Sequence, residues 1–356
     1  MTSPAPSSRE RRLLAPPRAG RLGAWAYALR TANPPPDRRD PRTLDPVTTW
    51  LVVTRAAVLP MTLLAGVVAG LLAVRADGFS WPLWLLALVG ILAAHACNNL
   101  LNDLSDTDVG LDTGAYPRAL YAPHPILSGM VRRRQMGLAV LGLMAVDLVV
   151  MVVLALQRGW PVVAFAVTGL ALSIAYTSPP LSLKARGLGE LDVLLTWGPL
   201  MVAGTYYSAV GELPWQVWLA SVPYGLLCTS VLMGKHIDKL PYDRASATRT
   251  LPVVLCEVAA RGTTIGILFA FYATTGLAVA VGALPWPVLL VALALPTLRK
   301  AAGALRRPAP EEPPPGFPVW PLWFAAICFV HVRRAGGLLV LGLALAAATG
   351  TGLPLG

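Results

Sequence analysis

Asn98, Asn102 and Asp106 recur at four-residue intervals in NNLLNDLSDTDVGLDTG, residues 98 to 114, directly after an apolar run. A helix stacks such residues on one face. Asp103 and Asp106 stand about one turn apart, and Gly110 and Gly114 then break the helix, so Asp108 and Asp112 fold back from a loop. Oxygen donors without His or Cys suit hard divalent cations. Mg2+ in particular binds through a few carboxylates and keeps water and substrate phosphate as its other ligands. A second acidic stretch, KHIDKLPYDRASATRTL at 235 to 251, carries Asp238 and Asp243. Paired carboxylates of this kind point to a metal-bound diphosphate. A solvated helix end explains Asp103 or Asp108 taken singly. It does not explain the whole set, because a carboxylate deeper than the membrane interface costs about 3 kcal/mol and normally has a partner or a function.

The elements that must position these residues are membrane helices. The chain has 356 residues, 55 % of them hydrophobic and only 13 % charged, which lies outside the range of a soluble domain. Apolar stretches of about 17 to 25 residues cross the hydrocarbon layer. Bounded by Pro, Gly or charge, they predict nine spans: 50–73, 81–102, 133–156, 160–177, 189–209, 214–236, 261–283, 286–299 and 334–353. The expected fold is an all-α polytopic helix bundle around a central cavity. Residues 319–331 read as an interfacial or re-entrant piece, 308–318 as a Pro-rich linker, and 1–46 as a disordered Arg/Pro-rich tail without a secretory h-region. The remainder, 47–356, reads as one transmembrane domain.

Nearly all of the 29 Lys and Arg residues fall on one face of this topology. Only Arg75 and Arg158 lie on the other, with Arg55 inside the first span. By the positive-inside rule the N-terminus is cytoplasmic, and both acidic stretches converge on the cytoplasmic mouth of one multi-pass bundle in the cell membrane. Orientation and anionic lipid headgroups account for the net charge of +11, so no nucleic-acid partner is implied. The four cysteines stand singly and suggest neither a disulfide framework nor a thiolate metal site. Asp147 and Asp192, single carboxylates in or beside spans, are left without a role, and His95 and His331 read as packing or interfacial residues.

The stretch NDLSDTDVGLDT, with Asn102, Asp106 and Asp112, resembles the first aspartate-rich motif of the UbiA superfamily of intramembrane prenyltransferases, in its dihydroxynaphthoate (menaquinone) branch. AYTSPPLSLKARGLGEL at 175 to 191, GTYYSAVGELPW at 204 to 215 and DKLPYDRASATRTLPVVL at 238 to 255 resemble further segments of that family, over roughly residues 50 to 300. The resemblance implies transfer of a polyprenyl group from its diphosphate to an aromatic acceptor. It implies Mg2+ held by Asn102, Asp106 and Asp112, and a second ion held by Asp238 and Asp243. Lys184 would contact phosphate, with Arg118 and Arg249 as further contacts, and Tyr176 would face the allylic cation through its ring.

Two departures stand out. The second motif reads Asp238-x-x-x-x-Asp243, one residue longer than D-x-x-x-D, which on an ideal helix sets the two carboxylates about 140° apart. Pro241 between them is expected to break that helix. Lys235 and His236 stand where the menaquinone branch usually has Asn and Arg, which leaves the acceptor open, and His236 reads either as a general base or as a hydrogen-bonding side chain. The rival readings are the same fold with another lipid acceptor or with acceptor-free terpene cyclisation, and a cation-binding transporter. Chain length of the prenyl group and oligomeric state are not encoded in any feature of this one sequence.

Overall fold

Apolar segments of membrane-crossing length must satisfy their backbone groups internally, and helices are what they form. The computed structural model describes residues 20–38, 40–108, 123–315, 317 and 319–351, and among these there is no strand. A short helix α1 (Arg21–Thr31) and α2 (Pro46–Val53) precede α3 (Leu59–Ala73) and α4 (Trp81–Asp108). The helices α5 (Arg133–Arg158) and α6 (Trp160–Thr177) follow. Then come α7 (Gly189–Leu195), a π-helical segment Thr196–Ala203, α8 (Gly204–Val210) and α9 (Trp215–Asp238). Two short helices, α10 (Leu240–Ala245) and α11 (Leu251–Leu255), lead to α12 (Glu257–Ala280). A 3-10 segment, Trp286–Ala294, leads into α13 (Leu295–Leu305), and α14 (Trp323–Thr349) completes the bundle.

Among the described residues, eight helices are long and apolar enough to cross a membrane. The ninth expected span is present as the continuous helical run through α7, the π segment and α8. Pro199 lies in its π segment. A proline lacks an N–H and clashes with the preceding turn, and a locally widened helix accommodates both.

Two expectations are corrected. Residues 323–331 are not interfacial but form the first part of α14. The Arg333 and Arg334 pair that looked like a span boundary lies inside that helix, and Arg333 lines an internal cavity where its charge is tolerated. Nor is all of 1–46 disordered: α1 packs Ala24 and Ala28, one turn apart and fully buried, against the start of the bundle. The indole of Trp25 donates to Asp45 (2.9 Å), which in turn caps α2 through the backbone N–H of Thr48 (3.1 Å).

The helix α9 forms the centre of the bundle, with 72 % of its apolar window buried against 17 % for α5 and 11 % for α6. The last two therefore present most of their surface outward, where lipid replaces protein as the apolar partner. Tyr206, Tyr224, Phe271 and Leu339 fill the main core between α3, the π segment, α9, α12 and α14. The crossing of α9 with the π segment depends on glycine. A Cβ at Gly225 would lie 2.7 Å from the Leu194 carbonyl oxygen, and one at Gly198 would lie 3.1 Å from that of Ser221.

Candidate active site

The helices α4, α5 and α6, the run α7 to α8, and parts of α9 and α14 stand around a cavity of about 1270 Å³. That volume exceeds the roughly 300 to 1,000 Å³ of most small-ligand pockets. Its deeper walls are apolar, with Leu154, Val162, Phe165 and Leu170 among them. Polar groups gather toward one end. Asn98 and Asn102 line it, the Asn98 Oδ1 accepting from Ser173 Oγ (2.8 Å) and the Asn102 Oδ1 from Thr177 Oγ1 (3.3 Å). The four-residue spacing thus does set these two amides on one face, and α6 holds them there. Asp106 follows four residues on within α4, but its side chain lies outside the described residues, as do Asp112 and Arg118.

Asp103 points the other way. It is fully buried in an ion pair with Arg55, a residue whose own backbone adopts φ 54°, in the left-handed region. Arg55 also lines the cavity, together with Arg30, Lys235 and Arg333. These basic side chains on the cavity wall suit an anionic group bound there. Further in, His95 meets Thr62 Oγ1 through Nδ1 (2.7 Å) and stands edge-on to Trp197, ring centroids 5.2 Å apart. Asp192, 7 % exposed, lines the same cavity with one carboxylate oxygen lacking any hydrogen bond. The detectable signal for Arg55, His95 and Asp192 in the sequence was only that an ionisable residue in an apolar span tends to face a cavity.

Tyr176 lines the cavity, and Lys184 lies in a 3-10 turn, Leu183–Arg186, just beyond it. These two converge at Gly189, where a side chain would be tightly surrounded. A Cβ there would meet the Tyr176 ring at 3.2 Å, the Lys184 Cα at 3.4 Å and the His236 Cε1 at 3.6 Å. Beside them the buried Glu190 carboxylate and His236 Nδ1 lie 2.7 Å apart. His236 is therefore a hydrogen-bonded partner of the 183–190 turn. Arg249 is exposed, and neither it nor Lys184 is among the residues lining the cavity.

The second acidic stretch behaves differently from the expectation. Pro241 does interrupt the helix, separating α9 from α10, but the two carboxylates are engaged by different partners. Asp238 accepts the backbone N–H of Phe324 at Oδ1 and of Ala325 at Oδ2, each at 2.9 Å, and so caps α14. Asp243, 2 % exposed, pairs with Lys239 Nζ at 3.6 Å and accepts from Thr250 Oγ1 at 3.1 Å. Neither carboxylate lines the cavity, and no cluster of three or more metal-ligating acidic, His or Cys side chains occurs among the described residues. As placed, the two carboxylates of the second pair are engaged by different partners and are not brought together.

Residues 63–327 match the UbiA prenyltransferase family. The chain is 28 % identical over 255 residues to the 2-carboxy-1,4-naphthoquinone phytyltransferase of Synechocystis sp., covering 69 % of this chain and 79 % of the other. It is 30 % identical over 265 residues to the 1,4-dihydroxy-2-naphthoate octaprenyltransferase of Mycobacterium tuberculosis, covering 72 % and 86 %. Among solved structures, the apo UbiA homolog from Aeropyrum pernix K1 superposes with a TM-score of 0.54 at 18 % identity, covering 81 % of this chain and 95 % of the other.

Proposed function

We propose, for a chain that belongs to the UbiA prenyltransferase family and is a multi-pass membrane prenyltransferase, transfer of a polyprenyl group from an isoprenoid diphosphate to an aromatic, naphthoate-type acceptor in quinone biosynthesis. The observation that carries this reading is the cavity itself: a large, mainly apolar volume whose wall also carries Asn98, Asn102, Tyr176 and the basic side chains of Arg55 and Lys235. An apolar chain buried there gains about 0.8 kcal/mol per methylene removed from water. The diphosphate then lies against the basic side chains of the wall.

In this mechanism the first acidic stretch, Asn102, Asp106 and Asp112, would hold Mg2+. An ion held there would supply neutralisation of the charge that develops on the leaving diphosphate. Lys235, at the cavity wall, and Lys184, in the turn beyond it, add fixed positive charge on the same departing oxygens, with Arg118 and Arg249 as outer contacts. Breaking the C–O bond leaves an allylic cation, which the face of Tyr176 stabilises while the apolar walls exclude water. An electron-rich acceptor carbon adds to that cation and the ring loses a proton. The excess of Lys and Arg on one face supports a cytoplasmic N-terminus and a cytoplasmic mouth.

The test is turnover of detergent-purified protein with Mg2+ and a panel of polyprenyl diphosphates, with and without dihydroxynaphthoate, followed by mass spectrometry. A prenylated naphthoate is expected. Diphosphate release with an acceptor-free product would move the chain to cyclisation, and no metal-dependent release would refute the reading.

A further inference from the structure

Each carboxylate oxygen of Asp238 and Asp243 already has a partner: backbone N–H groups at a helix start for Asp238, and the Lys239 ammonium and the Thr250 hydroxyl for Asp243. The Asp238 carboxylate spans two backbone N–H groups at the first turn of α14. A helix N-terminus bears a partial positive charge, which stabilises a carboxylate and repels a cation placed on it. The helices are also held close enough for this to be a built contact. A Cβ at Gly234, one turn before Asp238 in α9, would lie 2.7 Å from the Ala325 backbone nitrogen. Gly234 admits α14 and Asp238 caps it, so the residue serves helix packing.

Asp243 is the more telling case. In the D-x-x-x-D spacing the position one helical turn before it would be a second carboxylate, and here that position is Lys239. The two side chains are paired at 3.6 Å, exposed by only 6 % and 2 %, and Thr250 takes the other Asp243 oxygen. An ion bound to Asp243 would sit within an ion-pair distance of a buried ammonium, where burial weakens the screening of their repulsion.

We propose that the second acidic stretch binds no divalent ion, and that Lys239 is the built-in cation of Asp243. This rests on the prenyltransferase reading above. Metal binding then belongs to the first stretch alone, at one ion per chain. Lys235, one turn before Lys239 on α9, extends the same row of fixed charge to the cavity wall. The protein on this account replaces part of its metal requirement with lysine.

The experiment is Mn2+ titration of the detergent-purified full chain, read by electron paramagnetic resonance, in the presence of a non-hydrolysable polyprenyl diphosphate analogue. The wild type is expected to bind one ion per chain, lost in Asp106→Asn and retained in Asp243→Asn. Lys239→Asp, checked for fold by size exclusion, is expected to raise the count from one to two. Two ions in the wild type would overturn the proposal, as would a single ion that disappears in a folded Asp243→Asn but persists in Asp106→Asn. If the wild type binds no ion at all, the second stretch is metal-free as proposed, and it is the Mg2+ assignment of the first stretch that fails.

Discussion

His236 in α9 and Glu190 at the start of α7 face each other across 2.7 Å in a site where both are almost completely buried. This contact ties the turn carrying Lys184 to the helix carrying Lys235. Burial makes it asymmetric: removing the imidazole leaves a carboxylate with its second oxygen already unpartnered. His236→Ala is expected to cost about 3 kcal/mol of stability, and Glu190→Gln, which keeps the shape, less than half of that. Thermal unfolding in detergent reads both. Equal losses would mean that the contact is incidental.

Arg55 and Asp103 form a further charged contact at this end. Breaking such a pair from one side costs about 3 to 5 kcal/mol, because it strands an uncompensated charge. Asp103→Ala therefore destabilises more than the paired Arg55→Met, Asp103→Leu replacement, in which neither charge remains. Melting temperatures of the three proteins decide it, and a double variant less stable than Asp103→Ala would contradict the argument.

The capping role assigned to Asp238 has its own consequence. Losing a helix N-cap costs about 0.5 to 2 kcal/mol. Asp238→Ala is expected to lose that amount, while Asp238→Asn or Asp238→Ser recovers most of it. The loss should be the same with and without Mg2+. A metal-dependent difference in the loss, measured by thermal unfolding in magnesium and in chelator, would return the residue to ion binding.

What was legible beforehand follows from what periodicity can report. The four-residue spacing of Asn98 and Asn102 described one face of one helix, and that face does line the cavity. Partners on other helices lie beyond such a signal: Glu190 and His236 are 46 positions apart, Arg55 and Asp103 are 48, and Asp238 and Phe324 are 86. The start of α14 was misplaced because Arg333 and Arg334 resemble a membrane boundary when a cavity-facing arginine cannot be distinguished from an interfacial one. The helix α1 was hidden by the Arg/Pro-rich sequence around it, since its anchorage comes from Asp45, beyond its own end.

That anchorage is sensitive to acid. Burial pushes the Asp45 carboxyl up, but hydrogen bonds from Thr48 and Trp25, with the nearby Arg38, outweigh it and hold the group down at about 2, below its ordinary 3.8. A carboxylate so depressed contributes stability above its unfolded value, and the contribution is lost as pH falls from about 4 toward 2. Hydrogen exchange of residues 21–31, corrected for intrinsic rate, is expected to accelerate through that window. Asp45→Asn should show faster exchange at pH 6 and no further acid step. Unchanged protection down to pH 2 in the wild type would show that α1 is held by Ala24 and Ala28 alone.

Gly169 offers a direct probe of how the cavity measures its substrate. It lies on α6 in the cavity wall, and a Cβ added there would meet nothing within 4 Å. A phenylalanine at this position projects into the space assigned to the prenyl tail without disturbing a helix crossing, unlike a substitution at Gly225 or Gly198. Excluding one five-carbon unit removes about 4 kcal/mol of apolar burial at roughly 0.8 kcal/mol per methylene. Gly169→Phe is therefore expected to lower kcat/KM for long polyprenyl diphosphates by two to three orders of magnitude, about 3 to 4 kcal/mol, and to leave short ones within a few-fold. Competition between a short and a long donor in one reaction, with products separated by mass, measures the ratio directly. An equal loss for both lengths would mean that the tail follows another path out of the bundle.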